Sequence, residues 1–262
     1  MKELMPDETL EDLERAGLFL IQKKKGFRFG EDTVLLSHFA ASLAGRKKRP
    51  LLGLELGTNC GAASILLAGR RKDVLIDGIE IDEAAAEVFS RNIQMNGLEE
   101  RLFSYCMDIR AWPPSDKKNA AYDFVFFNPP YREIDRGEVT QKEGGEALLA
   151  ARFFIHGGLE DFIVTAKNAL VPEGHLFFVM RATRIDESIA YLMKHSLYPE
   201  KLRFVHPNEK KEATLFLMSA KKGKTPGNVR LLPPLFLYDD QKNKSKELRE
   251  IYEKEDAPCS IL

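Results

Sequence analysis

Long apolar runs are missing from this sequence. No stretch approaches the ~20 residues that a membrane-spanning helix requires, so the chain reads as a soluble protein with no membrane partner. Cysteine is scarce: Cys60, Cys106 and Cys259 are odd in number, widely separated and lack any Cys-x-x-Cys pair, which excludes a disulfide framework and a structural zinc site. Residues 1–17 are acidic and polar with no apolar signal core, and a reducing cytoplasm is the expected setting. An excess of either charge is also lacking. Thirty-nine basic against 40 acidic side chains leave a net charge of −1, which excludes a protein that coats nucleic acid by bulk electrostatics. Contact with a polyanion then falls to local basic patches, at Lys23, Lys24, Lys25 and Arg28, at Arg46 to Arg49, and at Lys221, Lys222 and Lys224. No Gly-x-x-x-x-Gly-Lys-Ser/Thr loop occurs, so a nucleoside triphosphate is a poor ligand candidate. His38, His156, His175, His195 and His206 show no metal-ligand spacing and no nucleophilic partner, so neither a metal nor a catalytic triad is expected.

What is present is an ordinary globular composition, 44% hydrophobic and 30% charged, over 262 residues, enough for one large α/β domain with additions at both ends. Residues 7–16 read as a short acidic helix. Leu18 to Gln22 and Gly26 to Phe29 read as strands around a basic turn, and Asp32 as the N-cap of a helix towards Ala44. From Pro50 onward, apolar runs of strand length alternate with helical segments, the pattern of a parallel sheet covered on both faces. Strands are expected at Leu51 to Leu56, Val74 to Glu80, Leu102 to Met107, Tyr122 to Phe127, His175 to Met180, Lys201 to His206 and Glu212 to Ala220. The last two are joined by Pro207 to Lys211, too short for a crossover, and so form an antiparallel hairpin. Helices fill Ala62 to Gly69, Glu83 to Met95, Glu146 to Leu170 with a break at Gly157 and Gly158, and Ile185 to His195. The expected fold is therefore α/β, a doubly wound, seven-stranded, mostly parallel sheet. Residues 1–49 form an N-terminal extension, 50–222 the core, and 223–262 a tail with a possible strand at Leu235 to Tyr238 and a charged helix near Glu247 to Glu253.

Three successive strand ends carry groups suited to a nucleoside. The first strand breaks at Gly57-Thr-Asn-Cys-Gly61 into a turn and a helix, which lets a ligand approach main chain at the carboxyl edge. The second ends Gly78-Ile-Glu-Ile-Asp82, placing Glu80 about 23 residues after Gly57, where an acid can accept ribose hydroxyls. Asp82, ahead of Glu-Ala-Ala-Ala-Glu, reads instead as a helix cap. The third ends at Asp108, which either caps a loop or accepts the amino group of an adenine.

The fourth strand runs into Asn128-Pro129-Pro130-Tyr131. Two prolines stop the strand and hold the Asn128 side chain and Pro129 carbonyl at the sheet edge. An aromatic amino group or an amide nitrogen is a weak nucleophile, because its lone pair is delocalised. Two acceptors gripping its N–H bonds favour a more tetrahedral nitrogen whose lone pair can face a sulfonium methyl, and they stabilise the positive charge that develops. Tyr131 offers a face for a planar substrate. Phe124, Phe126 and Phe127 just before the tetrad read as core.

Phe27-Arg-Phe-Gly-Glu-Asp-Thr-Val-Leu-Leu, Glu55-Leu-Gly-Thr-x-x-Gly61, Glu80-Ile-Asp82 and Asn128-Pro-Pro-Tyr131 together resemble the bacterial tRNA(Val) adenine-N6 methyltransferases, over roughly residues 15–255. The resemblance implies a Rossmann-like class I methyltransferase that binds S-adenosylmethionine through Glu55, Gly57, Gly61, Glu80 and Asp108, with Asp32 and Thr33 closing over it. It also implies Asn128, Pro129 and Tyr131 as the catalytic group, and tRNA contacts from Lys23, Lys24, Lys25, Arg28 and Arg132. Asn59 stands where the pattern has glycine, a place asparagine can fill in left-handed backbone. Arg132 stands where an aromatic is common. The rivals are a release-factor glutamine-amide methyltransferase, a guanine-amino rRNA methyltransferase, and a non-catalytic adaptor that binds S-adenosylmethionine and RNA. The first usually carries an N-terminal helical domain, for which about fifty residues ahead of the sheet leave little room, and intact Asn128 and Tyr131 speak against the adaptor.

Overall fold

A computed structural model describes residues 4–25, 28–112, 122–129, 158–223 and 227–253. In chain order the elements are β1 (Glu8–Asp12), β2 (Phe19–Lys23), α1 (Glu31–Leu43), β3 (Leu51–Leu56), α2 (Ala62–Arg70), β4 (Val74–Glu80), α3 (Glu83–Met95), β5 (Leu102–Cys106) and β6 (Tyr122–Phe127). They continue with α4 (Leu159–Ala169), β7 (Leu170–Arg181), α5 (Ile185–Lys194), β8 (Leu197–His206), β9 (Leu215–Lys222), β10 (Arg230–Leu231), β11 (Leu235–Phe236) and α6 (Lys246–Glu253).

The central sheet runs β8-β9-β7-β6-β3-β4-β5, with the two-residue strands β10 and β11 both parallel to β8 on its outer side. β3 to β7 are parallel, and β9 is antiparallel to both β7 and β8, as the short β8–β9 connection requires. The chain leaves β3 to build β4 and β5 on one side and returns to build β6 and β7 on the other. Strand order thus reverses at β3 and β6, the place where an open α/β sheet presents a crevice at its carboxyl edge.

Side-chain alternation sorts the buried residues into two cores. Phe124, Phe126, Phe177 and Val179 point into a layer with α1, α2, α3, the N-terminal hairpin and the tail. Val125, Phe127, Phe178 and Met180 point into a layer with α4 and Leu192 of α5. β6 is buried on both faces throughout, which explains the apolar run Phe124–Phe127, while its one charged residue, Asp123, is buried with cationic partners.

Three local expectations are corrected. Residues 7–16 are not a helix: Glu8–Asp12 is β1, paired antiparallel with β2. The decisive contact is non-local. Glu8 turns inward and makes a bidentate pair with Arg91 of α3 at 2.7 and 2.9 Å, which holds its carboxyl below the usual carboxylate range. Arg28–Gly30 carry no regular structure, so the strand expected at Gly26 to Phe29 does not form there, while Gly26 and Phe27 lie outside the described residues. Asp32 is not the N-cap of α1. Gly30 holds that position with an extended backbone, and Asp32 sits inside the first turn.

Two asparagines one turn apart, Asn92 in α3 and Asn96 at its C-cap, dock the hairpin. Asn92 accepts from Ile21 N and donates to Ile21 O and Cys60 O, and Asn96 accepts from and donates to Phe19 backbone. β2 therefore starts beside the C-terminal end of α3 and runs back towards its N-terminus. The basic stretch after α1 has a different task. Lys47 and Arg49 both pair with the buried Asp123, at 2.6 and 2.7 Å.

Candidate active site

Because β6, β3, β4 and β5 are adjacent and parallel, their carboxyl ends bring Asn128, Gly57, Glu80 and Asp108 to one edge. The turn after β3 is closed by Gly57 N and Thr58 N, which both donate to Ile79 O, at 2.8 and 3.0 Å. Gly57, Asn59 and Gly61 all take left-handed backbone, with φ of +70°, +49° and +82°. Asn59 thus adopts the conformation a glycine would supply. At Gly61 a Cβ would come within 1.8 Å of the Phe89 ring, so close packing as well as φ demands glycine there.

Glu80 ties the two turns together. Its carboxylate accepts from Asn59 N at 2.7 Å, Ile81 N at 2.9 Å and Asp82 N at 3.0 Å. Burial raises its pKa while those backbone donors pull the other way. Asp82 is the N-cap of α3 that the sequence indicates, accepting from Ala85 N at 3.1 Å. Glu55 lies beneath the turn, wholly buried, and accepts from the backbone N and the hydroxyl of Ser64 in the first turn of α2. Burial pushes its carboxyl up to about 8. Ser64 and Phe89 carry no motif of their own in the sequence, and the role of Phe89 emerges only from the fold, where Gly61 and Gly78 both clear its ring.

Asp108 caps a 3-10 turn at Ile109–Ala111 by accepting from Arg110 N at 2.8 Å, and its carboxylate also pairs with the Arg110 guanidinium. At the end of β6, Asn128 is half-buried and Pro129 is buried. Asn128 Nδ2 donates to Thr33 Oγ1 of α1 at 3.1 Å, joining residues 95 positions apart. Asp32 and Thr33 are in contact, with Asp32 Oδ1 accepting from Thr33 N at 2.8 Å. Tyr131, Arg132 and the segment 132–146 lie outside the described residues.

The basic N-terminal group is partly neutralised. Lys23 pairs with Asp7 at 3.0 Å and Glu8 at 3.5 Å, Lys24 donates to Pro6 O at 2.6 Å, and Arg28 pairs with Glu11 at 2.5 Å. Lys25 is exposed. Among the described residues no group of His, Cys, Asp and Glu side chains could hold a metal, and no helix is long and apolar enough to cross a membrane.

Residues 30–198 match the methyltransferase small domain family. A tRNA1(Val) (adenine(37)-N6)-methyltransferase from Christiangramia forsetii is 28% identical over 69% of this chain and 72% of its own length. The protein of the same name from Flavobacterium psychrophilum is 27% identical over 77% of this chain and 82% of its own length. Among solved structures, a predicted O-methyltransferase from Agrobacterium tumefaciens superposes with a TM-score of 0.66 at 19% identity, covering 86% of this chain and 98% of that one. A geranyl diphosphate C-methyltransferase from Streptomyces coelicolor, solved with S-adenosyl-L-homocysteine, superposes with a TM-score of 0.52 at 10% identity over 72% of this chain and 77% of that one.

Proposed function

The chain belongs to the methyltransferase small domain family and is an S-adenosylmethionine-dependent methyltransferase, and from that premise we propose that it methylates N6 of an adenine in tRNA near the anticodon, in the cytoplasm. The observation that carries this reading is the placing of Asn128 and Pro129 beside the β3 and β4 turns on one sheet edge. The names of the relatives favour tRNA over release factor or rRNA. Transfer of labelled methyl into total tRNA tests it.

The residues present fit the cofactor. Three left-handed residues open the turn backbone, and a Cβ at Gly57 would reach 3.4 Å from the Phe162 ring, filling space that glycine leaves clear. Gly57 and Gly61 would then border the methionine portion, Glu80 the ribose, and Asp108 the adenine, while Glu55 shapes the site from below by fixing the start of α2. A carboxylate offers about four lone-pair sites. Backbone N–H groups take three at Glu80, so one ribose hydroxyl fits alongside them and a second would displace a backbone donor. Bound there, S-adenosylmethionine supplies an electrophilic methyl group.

The protein's part is grip and alignment. The Asn128 carboxamide oxygen and Pro129 carbonyl accept the two N–H bonds of the adenine amino group, aim its lone pair along the line of transfer and stabilise positive charge as it grows on nitrogen. From their place in and after the tetrad, Tyr131 would stack the extruded base and Arg132 would contact the tRNA. No strong base is needed, because the proton can leave after the new N–C bond forms.

Glu80→Ala is expected to weaken S-adenosylmethionine by ~1.5–3 kcal/mol, roughly 10- to 150-fold. Calorimetry on Glu80→Ala and Glu80→Gln, each first shown to be folded, checks this. Unchanged affinity in both would remove Glu80 from the cofactor site. Replacing Lys23, Lys24, Lys25 and Arg28 together with alanine is expected to weaken tRNA binding and flatten its salt dependence by roughly 0.7–0.9 in slope per lost phosphate contact. The change stays below four contacts' worth, since Asp7, Glu8 and Glu11 already engage part of that charge. Equal affinity and slope would make the N-terminal hairpin purely structural.

A further inference from the structure

Resting on that reading of Asn128, we propose that Thr33, directed by Asp32, is the positioning residue that sets which way round the Asn128 carboxamide lies. An asparagine amide is nearly symmetric in shape, so its oxygen and nitrogen can exchange places at little steric cost. The proposed chemistry works one way only. The oxygen must face the substrate amino group, because an NH2 group there would meet another donor.

The hydrogen-bond polarity at the start of α1 supplies the direction. An ionised aspartate only accepts. The Thr33 hydroxyl has one proton, and it lies 3.4 Å from Asp32 Oδ1, which also holds Thr33 N at 2.8 Å. With that proton directed towards the Asp32 carboxylate, Thr33 Oγ1 presents its lone pairs to Asn128. The contact at 3.1 Å is Asn128 Nδ2–H donating to Thr33 Oγ1, which turns the carboxamide oxygen away from α1. Thr33 is 4% exposed, so water competes poorly for this bond.

The start of α1 is itself tied down. Tyr238, after β11, donates its phenol to Glu31 in the first turn, and Arg15 and Arg70 both donate to Ile251 O of α6, which packs in the same core layer as α1. The tail thereby braces the first turn of α1, which carries Thr33.

The test compares Thr33→Val, similar in shape but without the acceptor, with Thr33→Ser, which keeps it, and with Asp32→Asn, which keeps Thr33 but can donate to it. Thr33→Val is expected to lower kcat about tenfold or more, with KM for tRNA and cofactor affinity within twofold of wild type, while Thr33→Ser keeps most of the turnover. Asp32→Asn is expected to lower kcat by a smaller factor. In free protein carrying 15N-asparagine, the Asn128 side-chain amide protons should exchange with solvent faster in Thr33→Val than in wild type or Thr33→Ser. That readout needs no substrate, so it stands or falls whichever acceptor is methylated. Unchanged kcat and exchange in Thr33→Val would overturn the proposal. So would a loss confined to cofactor affinity, which would make Thr33 a cofactor contact, and full turnover in Asp32→Asn would overturn the role given to Asp32.

Discussion

Asn128→Ala is expected to cut turnover by about 10²–10³ while leaving S-adenosylmethionine affinity nearly unchanged, the usual cost of losing one group that stabilises developing charge. The reason lies in where Asn128 sits. The β3 and β4 turns, which border the cofactor in the proposed arrangement, are closed by Glu80 and by backbone bonds to Ile79, none of which involves Asn128. The substitution also releases Thr33 Oγ1 from its bond to Nδ2, a modest cost at a half-buried side chain. Steady-state kinetics at saturating cofactor, with binding measured separately, divide the two effects. Wild-type turnover in the folded variant would refute the role given to Asn128.

The largest stability effect is expected at the turn that shapes the cofactor edge. Gly61→Ala adds a Cβ 1.8 Å from the Phe89 ring, and Phe89 is fully buried between α3 and the sheet, so the ring has no free direction in which to retreat. Overpacking of this kind costs about 1–3 kcal/mol, and a non-glycine residue in left-handed backbone adds roughly 1–2 kcal/mol. Together they lower the melting temperature by on the order of 5–15 °C. Gly97→Ala separates the two causes. Gly97 has φ +62° but nothing within 4 Å of its would-be Cβ, so it should lose only the backbone part. Thermal unfolding of both variants checks this, and equal shifts would show that the clash with Phe89 is relieved cheaply.

The parallel core was legible because burial on both faces writes itself as apolar runs. The limits of β3, β4, β6 and α3 follow directly from those runs, and the α3 cap from Asp82 ahead of a helical segment. What escaped depended on partners distant in sequence. Residues 7–16 look helical because they are acidic and short of apolar alternation, yet Glu8 faces inward to Arg91, 83 residues away, and that pairing builds a strand. Asp32 has the composition of a cap but lies two positions beyond Gly30, which ends the extended segment. β8 also begins earlier than its apolar centre, because β9 pairs back along it to Leu197, and β7 begins at Leu170, which pairs with Tyr122 of β6. At the site, the groups at strand ends could be read from spacing. The bond from Thr33 to Asn128 could not, since it spans 95 residues and depends on how α1 lies across the sheet.

The most direct measurement of the central claim is transfer of methyl from labelled S-adenosylmethionine to total tRNA, rRNA and release factor in parallel, with the wild-type protein, followed by nucleoside and peptide analysis of whatever is labelled. Label is expected in tRNA, recovered as N6-methyladenosine. Label recovered on a release-factor glutamine or on a guanine amino group of rRNA, or in none of the three despite measurable cofactor binding, would contradict it.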